Sequence, residues 1–199
     1  MTETLVVATT NAGKAREFRT IFEPKGITVK TLADFPALPP INETGHTFTE
    51  NAVLKATTVD HATQLPVLAD DSGLMVDALD GAPGIYSARY AGDHDDAKNK
   101  SKLLAQLRGT APAQRTATFH TSLVLVKPNG QQLVTVGEVA GTILTAPRGT
   151  DGFGYDPLFY VPEEHQTFAE MPLAKKNRLS HRAKATAAML AKFDEWWGA

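Results

Sequence analysis

The sequence predicts an α/β fold built on a mixed β-sheet. Strand-like and helix-like segments alternate through the first half of the chain. Two segments rich in β-branched residues, joined by Pro128-Asn129-Gly130, then read as an antiparallel hairpin, and an apolar-periodic helix closes the chain. The 199 residues, 42% of them hydrophobic, are enough for one domain with its own core, so 1–199 is read as a single domain, with room for two small lobes.

Thr4 to Ala8 reads as a buried strand that turns through Thr9-Thr10-Asn11-Ala12-Gly13-Lys14 into a helix with Ala15, Phe18 and Phe22 inward. Pro24 and Gly26 close it, a strand follows over Ile27 to Thr31, and the prolines at 36, 39 and 40 mark a loop. Thr47 with Glu50 has capping-box spacing and predicts a helix through Asn51, Ala52, Ala56 and Val59, ended by Gln64-Leu65-Pro66. Val67 to Ala69 predicts a short strand that runs into Asp70-Asp71-Ser72-Gly73 and places both aspartates at a strand-to-strand turn.

After a loop at Gly81 to Gly84, Leu103, Leu104 and Leu107 mark a helix over Lys98 to Leu107, stopped by Gly109. The hairpin strands are Ala117 to Val126 and Gln132 to Val139, and Gly149 to Pro157 is a glycine-rich loop. A last helix, starting between Leu173 and Ser180, is expected to bury Leu179, Ala183, Ala187, Leu190 and Phe193.

Composition excludes several chemistries. There is no cysteine, so disulfides, thiolate catalysis and thiolate-ligated zinc are out, and any metal must take oxygen or imidazole ligands. The first residues lack a basic, apolar leader, and no run approaches a membrane span, which makes a cytoplasmic setting the expectation. Twenty basic against 22 acidic residues, with no basic tract, argue against long nucleic acid while leaving a single nucleotide open.

Four clusters can carry chemistry. A helix start with free N–H groups and a lysine, as at Thr10 to Lys14, suits a polyphosphate, although Ala8 and Ala15 replace the glycine and hydroxyl residue of a Walker loop. Glu43, Asp70 and Asp71 are hard oxygen donors of the kind Mg²⁺ prefers, and one carboxylate at 70–71 can act as general base toward a water. Neighbours in an extended chain point opposite ways, so one of the two faces that site. Phe153 and Tyr155, set among glycines, suit stacking on a base, while Lys176, Ser180, His181 and Arg182 could meet a phosphate or a purine O6. Each cluster also has a plain structural reading as turn, solvated acid, loop anchor or helix end. His46, His61, His94, His120 and His165 lack metal-ligand spacing and read as structural or surface residues, and Trp196-Trp197 reads as packing or a dimer contact.

Taken in order, Thr10-Asn11-x-Gly13-Lys14, Glu43-Thr44-Gly45-x-Thr47-Phe48-x-Glu50-Asn51, Ala69-Asp70-Asp71-Ser72-Gly73-Leu74, Phe153-Gly154-Tyr155-Asp156-Pro157 and Ser180-His181-Arg182 resemble the noncanonical purine nucleoside triphosphate pyrophosphatases, the inosine or xanthosine triphosphate pyrophosphatase family. Pro83 to Tyr90 resembles a further segment of it.

The resemblance implies a long mixed sheet flanked by helices, two lobes with a nucleotide cleft between them, and a homodimer. It assigns triphosphate binding to Thr9, Thr10, Asn11, Ala12, Gly13 and Lys14, and Mg²⁺ to Glu43 and Asp71. Asp71 would also be the proton acceptor. Ser72, Phe153, Gly154, Tyr155, Asp156, Lys176, His181 and Arg182 match substrate-contacting positions, the last two at the base edge. Two departures stand out: Thr10 where many members have glycine, and Ala174-Lys175 where an acidic pair is common. The implied activity is hydrolysis of ITP, dITP or XTP to nucleoside monophosphate and pyrophosphate. The alternatives are a pyrophosphatase for other modified nucleotides and a nucleotide-binding module without turnover.

Overall fold

The computed structural model describes residues 3–92 and 95–198, and has a mixed α/β fold. Strand β1 (Glu3–Val7) leads into helix α1 (Ala12–Phe22), then come β2 (Ile27–Thr31), α2 (Phe48–Thr63) and β3 (Val67–Val76). They are followed by α3 (Asp96–Gln106), β4 (Thr116–Val126), β5 (Gln132–Ile143), the short β6 (Phe159–Val161) and β7 (Gln166–Thr167), and finally α4 (Leu173–Leu179) and α5 (His181–Gly198). The seven strands among the described residues are ordered β2-β1-β3-β4-β5-β6-β7. β1 is parallel to both β2 and β3, while β6 is antiparallel to β5 and β7. The parallel part comes from the βα units of the first half, and the antiparallel part from direct strand connections.

Two compact units share the chain. One comprises 1–71, 122–135 and 189–199, the other 72–121 and 136–188. The first buries Val6, Ala52, Ala56, Val59, Val67 and Val124 in one cluster, and stacks Phe22 on Phe193 at 4.8 Å between ring centres. The second is centred on Leu74, Leu103, Phe119, Phe159 and Phe168. Strand β3 passes from one unit to the other between Asp71 and Ser72.

Most elements lie where the sequence places them, and four expectations are corrected. The aspartates are not at a turn: Asp70 and Asp71 lie inside a continuous ten-residue strand, because Ser72-Gly73 continues the extended backbone. The capping box at α2 is not reciprocal. Thr47 Oγ1 does accept from Glu50 N at 3.1 Å, but Glu50 Oε2 accepts from His46 N at 2.6 Å, one residue further out. β5 extends to Ile143, through Gly141, where a Cβ would meet the Phe159 ring at 2.6 Å.

The last helix is two helices. Ser180 is extended (ψ 157°) and ends α4, so the turn count restarts at His181. The buried stripe of α5 is accordingly His181, Ala185, Met189, Phe193 and Trp196. Of the expected residues only Phe193 is fully buried, Leu179, Ala183 and Leu190 are half-buried, and Ala187 is exposed. Trp196 is buried and Trp197 stacks on Phe193 at 5.1 Å, which is packing. His46, His61 and His165 are exposed, His120 pairs with Glu138 at 2.8 Å, and His94 lies outside the described residues.

Candidate active site

The first unit gathers the carboxylates. Strand alternation sends the two aspartates of β3 to different partners. Asp70, 5% exposed, accepts from Lys14 Nζ at 2.6 Å, which ties the strand to the first turn of α1. Asp71 meets α2 instead: Lys55 Nζ is 3.7 Å from its Oδ1 and Asn51 Nδ2 is 3.5 Å from its Oδ2. Lys55 also donates to Glu43 Oε1 at 2.8 Å and to the carbonyl of Asp70 at 2.9 Å. Glu43 and Asp71 therefore converge on one cation.

Burial pushes the Asp71 carboxyl up to about 6; Lys55 pulls it down, Glu43 adds to the rise, Asn51 opposes it, and Asp70 raises it further. For Lys55, burial works against the charge, but the hydrogen bond to Glu43 and the surrounding carboxylates outweigh it and hold the ammonium above its usual range. A carboxylate near 6 is matched to accepting a proton close to neutral pH.

Glu43 and Asp71 fit a magnesium ion by their chemistry, since both are hard oxygen donors and already enclose a positive charge. No group of three or more His, Cys, Asp or Glu side chains suited to a metal occurs among the described residues. Mg²⁺ tolerates so sparse a protein shell because it keeps waters and takes phosphate oxygens.

The Thr9–Lys14 turn is partly self-satisfied. Asn11 caps α1, its Oδ1 accepting from Gly13 N at 2.8 Å and Lys14 N at 3.1 Å, so those two amides are not the free donors the sequence suggested. Thr9 is buried and its Oγ1 accepts from Asn11 N, whereas residues 10–13 are exposed. An anion binding here gains the helix end and Lys14, and competes with Asn11 for the first-turn amides.

The second unit holds the remaining expected residues. Ser72 Oγ and Thr121 Oγ1 share a hydrogen bond at 2.6 Å. Phe153 is 59% exposed, but Tyr155 is buried and donates its hydroxyl to Ser87 O at 2.9 Å, so only one of the two aromatics offers a face. Asp156 is buried and closes the loop on itself: its Oδ2 accepts from Phe153 N at 2.8 Å and from Lys176 Nζ. Gly152, at φ 79°, is required here because a Cβ would lie 2.1 Å from that carboxylate. Gly154 N donates to Asp96 Oδ2 at 2.6 Å, and the Lys176 ammonium lies 5.0 Å from the Phe153 ring centre. His181 is buried, its ring flat against Phe119 at 4.9 Å, and Arg182 beside it is half-buried.

Sequence reasoning missed Lys55 and gave Asn51 no role. A signal existed: Asn51, Lys55 and Val59 recur every four residues on the stripe that also buries Ala52 and Ala56, and a lysine there needs a counter-charge. Asp96, Thr121 and Ser87, which fasten the site's loops, carry no local pattern that marks them.

The chain matches the Ham1 family over residues 5–192. It is 60% identical over 195 residues to a dITP/XTP pyrophosphatase of Lactiplantibacillus plantarum, covering 98% of this chain and 96% of that one. It is 57% identical over 182 residues to a dITP/XTP pyrophosphatase of Listeria monocytogenes, covering 91% and 90%. Among solved structures, the Ham1 protein of Staphylococcus aureus superposes with a TM-score of 0.91 at 39% identity, covering 97% of this chain and 99% of the other.

Proposed function

The chain belongs to the Ham1 family, and we propose that Asp71, Glu43 and the Thr9–Lys14 turn carry its pyrophosphatase chemistry. The protein is a nucleoside triphosphate pyrophosphatase that hydrolyses noncanonical purine nucleotides to nucleoside monophosphate and pyrophosphate.

Asp71 takes the proton of a water as that water attacks the α-phosphorus, and pyrophosphate leaves in line. The observation that carries this role is the half-enclosed position of Asp71, shared between Asn51 and Lys55, with its carboxyl held near 6. Lys14 and the exposed turn at 10–13 receive the phosphates. Glu43 and Asp71 would hold Mg²⁺, which supplies neutralisation of the phosphate charge. Before a metal binds, Lys55 keeps the two carboxylates turned toward one point.

In the second unit Phe153 supplies a stacking face, and Gly154, Tyr155 and Asp156 act by shaping its loop. Lys176, His181 and Arg182, with Ser72, are this unit's further substrate contacts. Donors at the purine O6 would favour inosine and xanthosine over adenosine, because an amino group there leaves each buried donor unpaired at about 1–3 kcal/mol. A homodimer is carried over from the resemblance and a cytoplasmic setting from the residue pattern, and no helix among the described residues is long and apolar enough to cross a membrane.

Pyrophosphate release from ITP, dITP, XTP, GTP, ATP and dUTP, each with Mg²⁺ and with excess EDTA, tests the proposal. Metal-dependent release from the first three with little from ATP supports it. Turnover that survives EDTA would remove the metal role of Glu43 and Asp71.

A further inference from the structure

We propose that Asn51 is a positioning residue for this reaction, its single amide group fixing the Glu43 loop on one side and the Asp71 carboxylate on the other. Asn51 is 0% exposed, in the first turn of α2. Its Oδ1 accepts from Gly45 N at 2.8 Å, and its Nδ2 points to Asp71 Oδ2 at 3.5 Å. The loop lies flush on it: a Cβ at Gly45 would be 2.7 Å from Asn51 Oδ1 and 2.9 Å from Asn51 N. Two residues before Gly45 is Glu43, and one helical turn after Asn51 is Lys55, which holds Glu43.

A carboxamide suits both jobs at this point. It presents an acceptor to a backbone N–H and a donor to a carboxylate within one planar group. A buried polar side chain that satisfied only the loop would cost desolvation at its other end, so both ends being used is the arrangement that is stable. Together Asn51 and Lys55 reach Asp71 from one face of α2, Asn51 at one carboxylate oxygen and Lys55 at the other. Both contacts are long, so they bias the direction of the carboxylate without locking it.

This inference rests on the assignment of Asp71 to the chemistry, and its test is built to fail separately from it. Asn51→Asp is nearly isosteric and keeps an acceptor for Gly45 N, but it loses the donor to Asp71 and sets two carboxylates together. At pH 8 it is expected to lower kcat about tenfold or more with KM for ITP changed less than about threefold, the pattern of a lost transition-state interaction. Amide exchange at Gly45 and His46 should stay slow, showing that the loop is still held.

A thermal-melting cycle with Asp71→Asn needs no substrate. In that background the amide at 71 can donate to the new carboxylate at 51, so the melting-temperature drop caused by Asn51→Asp should shrink to about half or less. An equal drop in both backgrounds, or wild-type kcat in Asn51→Asp, overturns the proposal. Absence of turnover in the wild-type protein would instead count against the pyrophosphatase chemistry, and the melting cycle would still decide the contact.

Discussion

Lys55 Nζ lies 2.8 Å from Glu43 Oε1, and the same ammonium lies 3.7 Å from Asp71 Oδ1 and 2.9 Å from the Asp70 carbonyl. A lysine thus occupies the point at which the two proposed metal ligands converge. Without it, two half-buried carboxylates would face each other with no cation between them.

Lys55→Met should therefore melt lower than wild type in EDTA, and millimolar Mg²⁺ should raise its melting temperature more than it raises that of wild type, because the metal then fills the gap. Differential scanning fluorimetry measures both shifts. Equal Mg²⁺ shifts in the two proteins would mean that ammonium and metal do not share a position.

Phe153 and Tyr155 should separate binding from stability. Phe153→Ala removes an exposed ring, so melting should barely move, whereas KM for ITP should rise by about five- to a hundredfold if a base stacks there, stacking being worth roughly 1–3 kcal/mol. Tyr155→Phe removes the buried hydroxyl that donates to Ser87 O and should cost about 1 kcal/mol of stability with KM little changed. Steady-state kinetics beside melting curves reads both. A normal KM in Phe153→Ala would take the stacking role from that ring.

The fold was legible wherever local chemistry decides. Ile27 to Thr31 and the inward Ala15, Phe18 and Phe22 follow from periodicity alone. The break at Ser180 was not, because Leu173 to Leu190 looks helical throughout, and one extended residue shifts every later side chain by a fraction of a turn. In the candidate site, residue type marks Glu43, the Asp70-Asp71 pair and Lys14, while the choice of Asp71 over Asp70 comes from the resemblance. Asn51 and Lys55 carry no such mark, since their role depends on a strand beyond the helix coming alongside.

Glu170 gives a pH dependence away from the site. The Arg148 guanidinium, with the Thr167 amide, holds its carboxyl down to about 2, below its usual 4.5. A depressed folded value means the interaction stabilises fully above about 4.5 and is lost as pH falls toward 2. Glu170→Gln should melt below wild type at pH 7, and the gap should narrow as pH falls from 4.5 to 2.5. The group is partly exposed, so the gap is small and shrinks in high salt. A gap independent of pH would mean that the charge contributes nothing.

The most direct test of the account is the single-turnover rate of Asp71→Asn on ITP with saturating Mg²⁺, measured beside equilibrium binding of the nucleotide. Binding is expected within a few-fold of wild type, with a chemical step slowed by about 10²- to 10⁴-fold, the usual contribution of a general base. A rate within about threefold of wild type, with binding intact, would contradict the assignment of the proton transfer to Asp71.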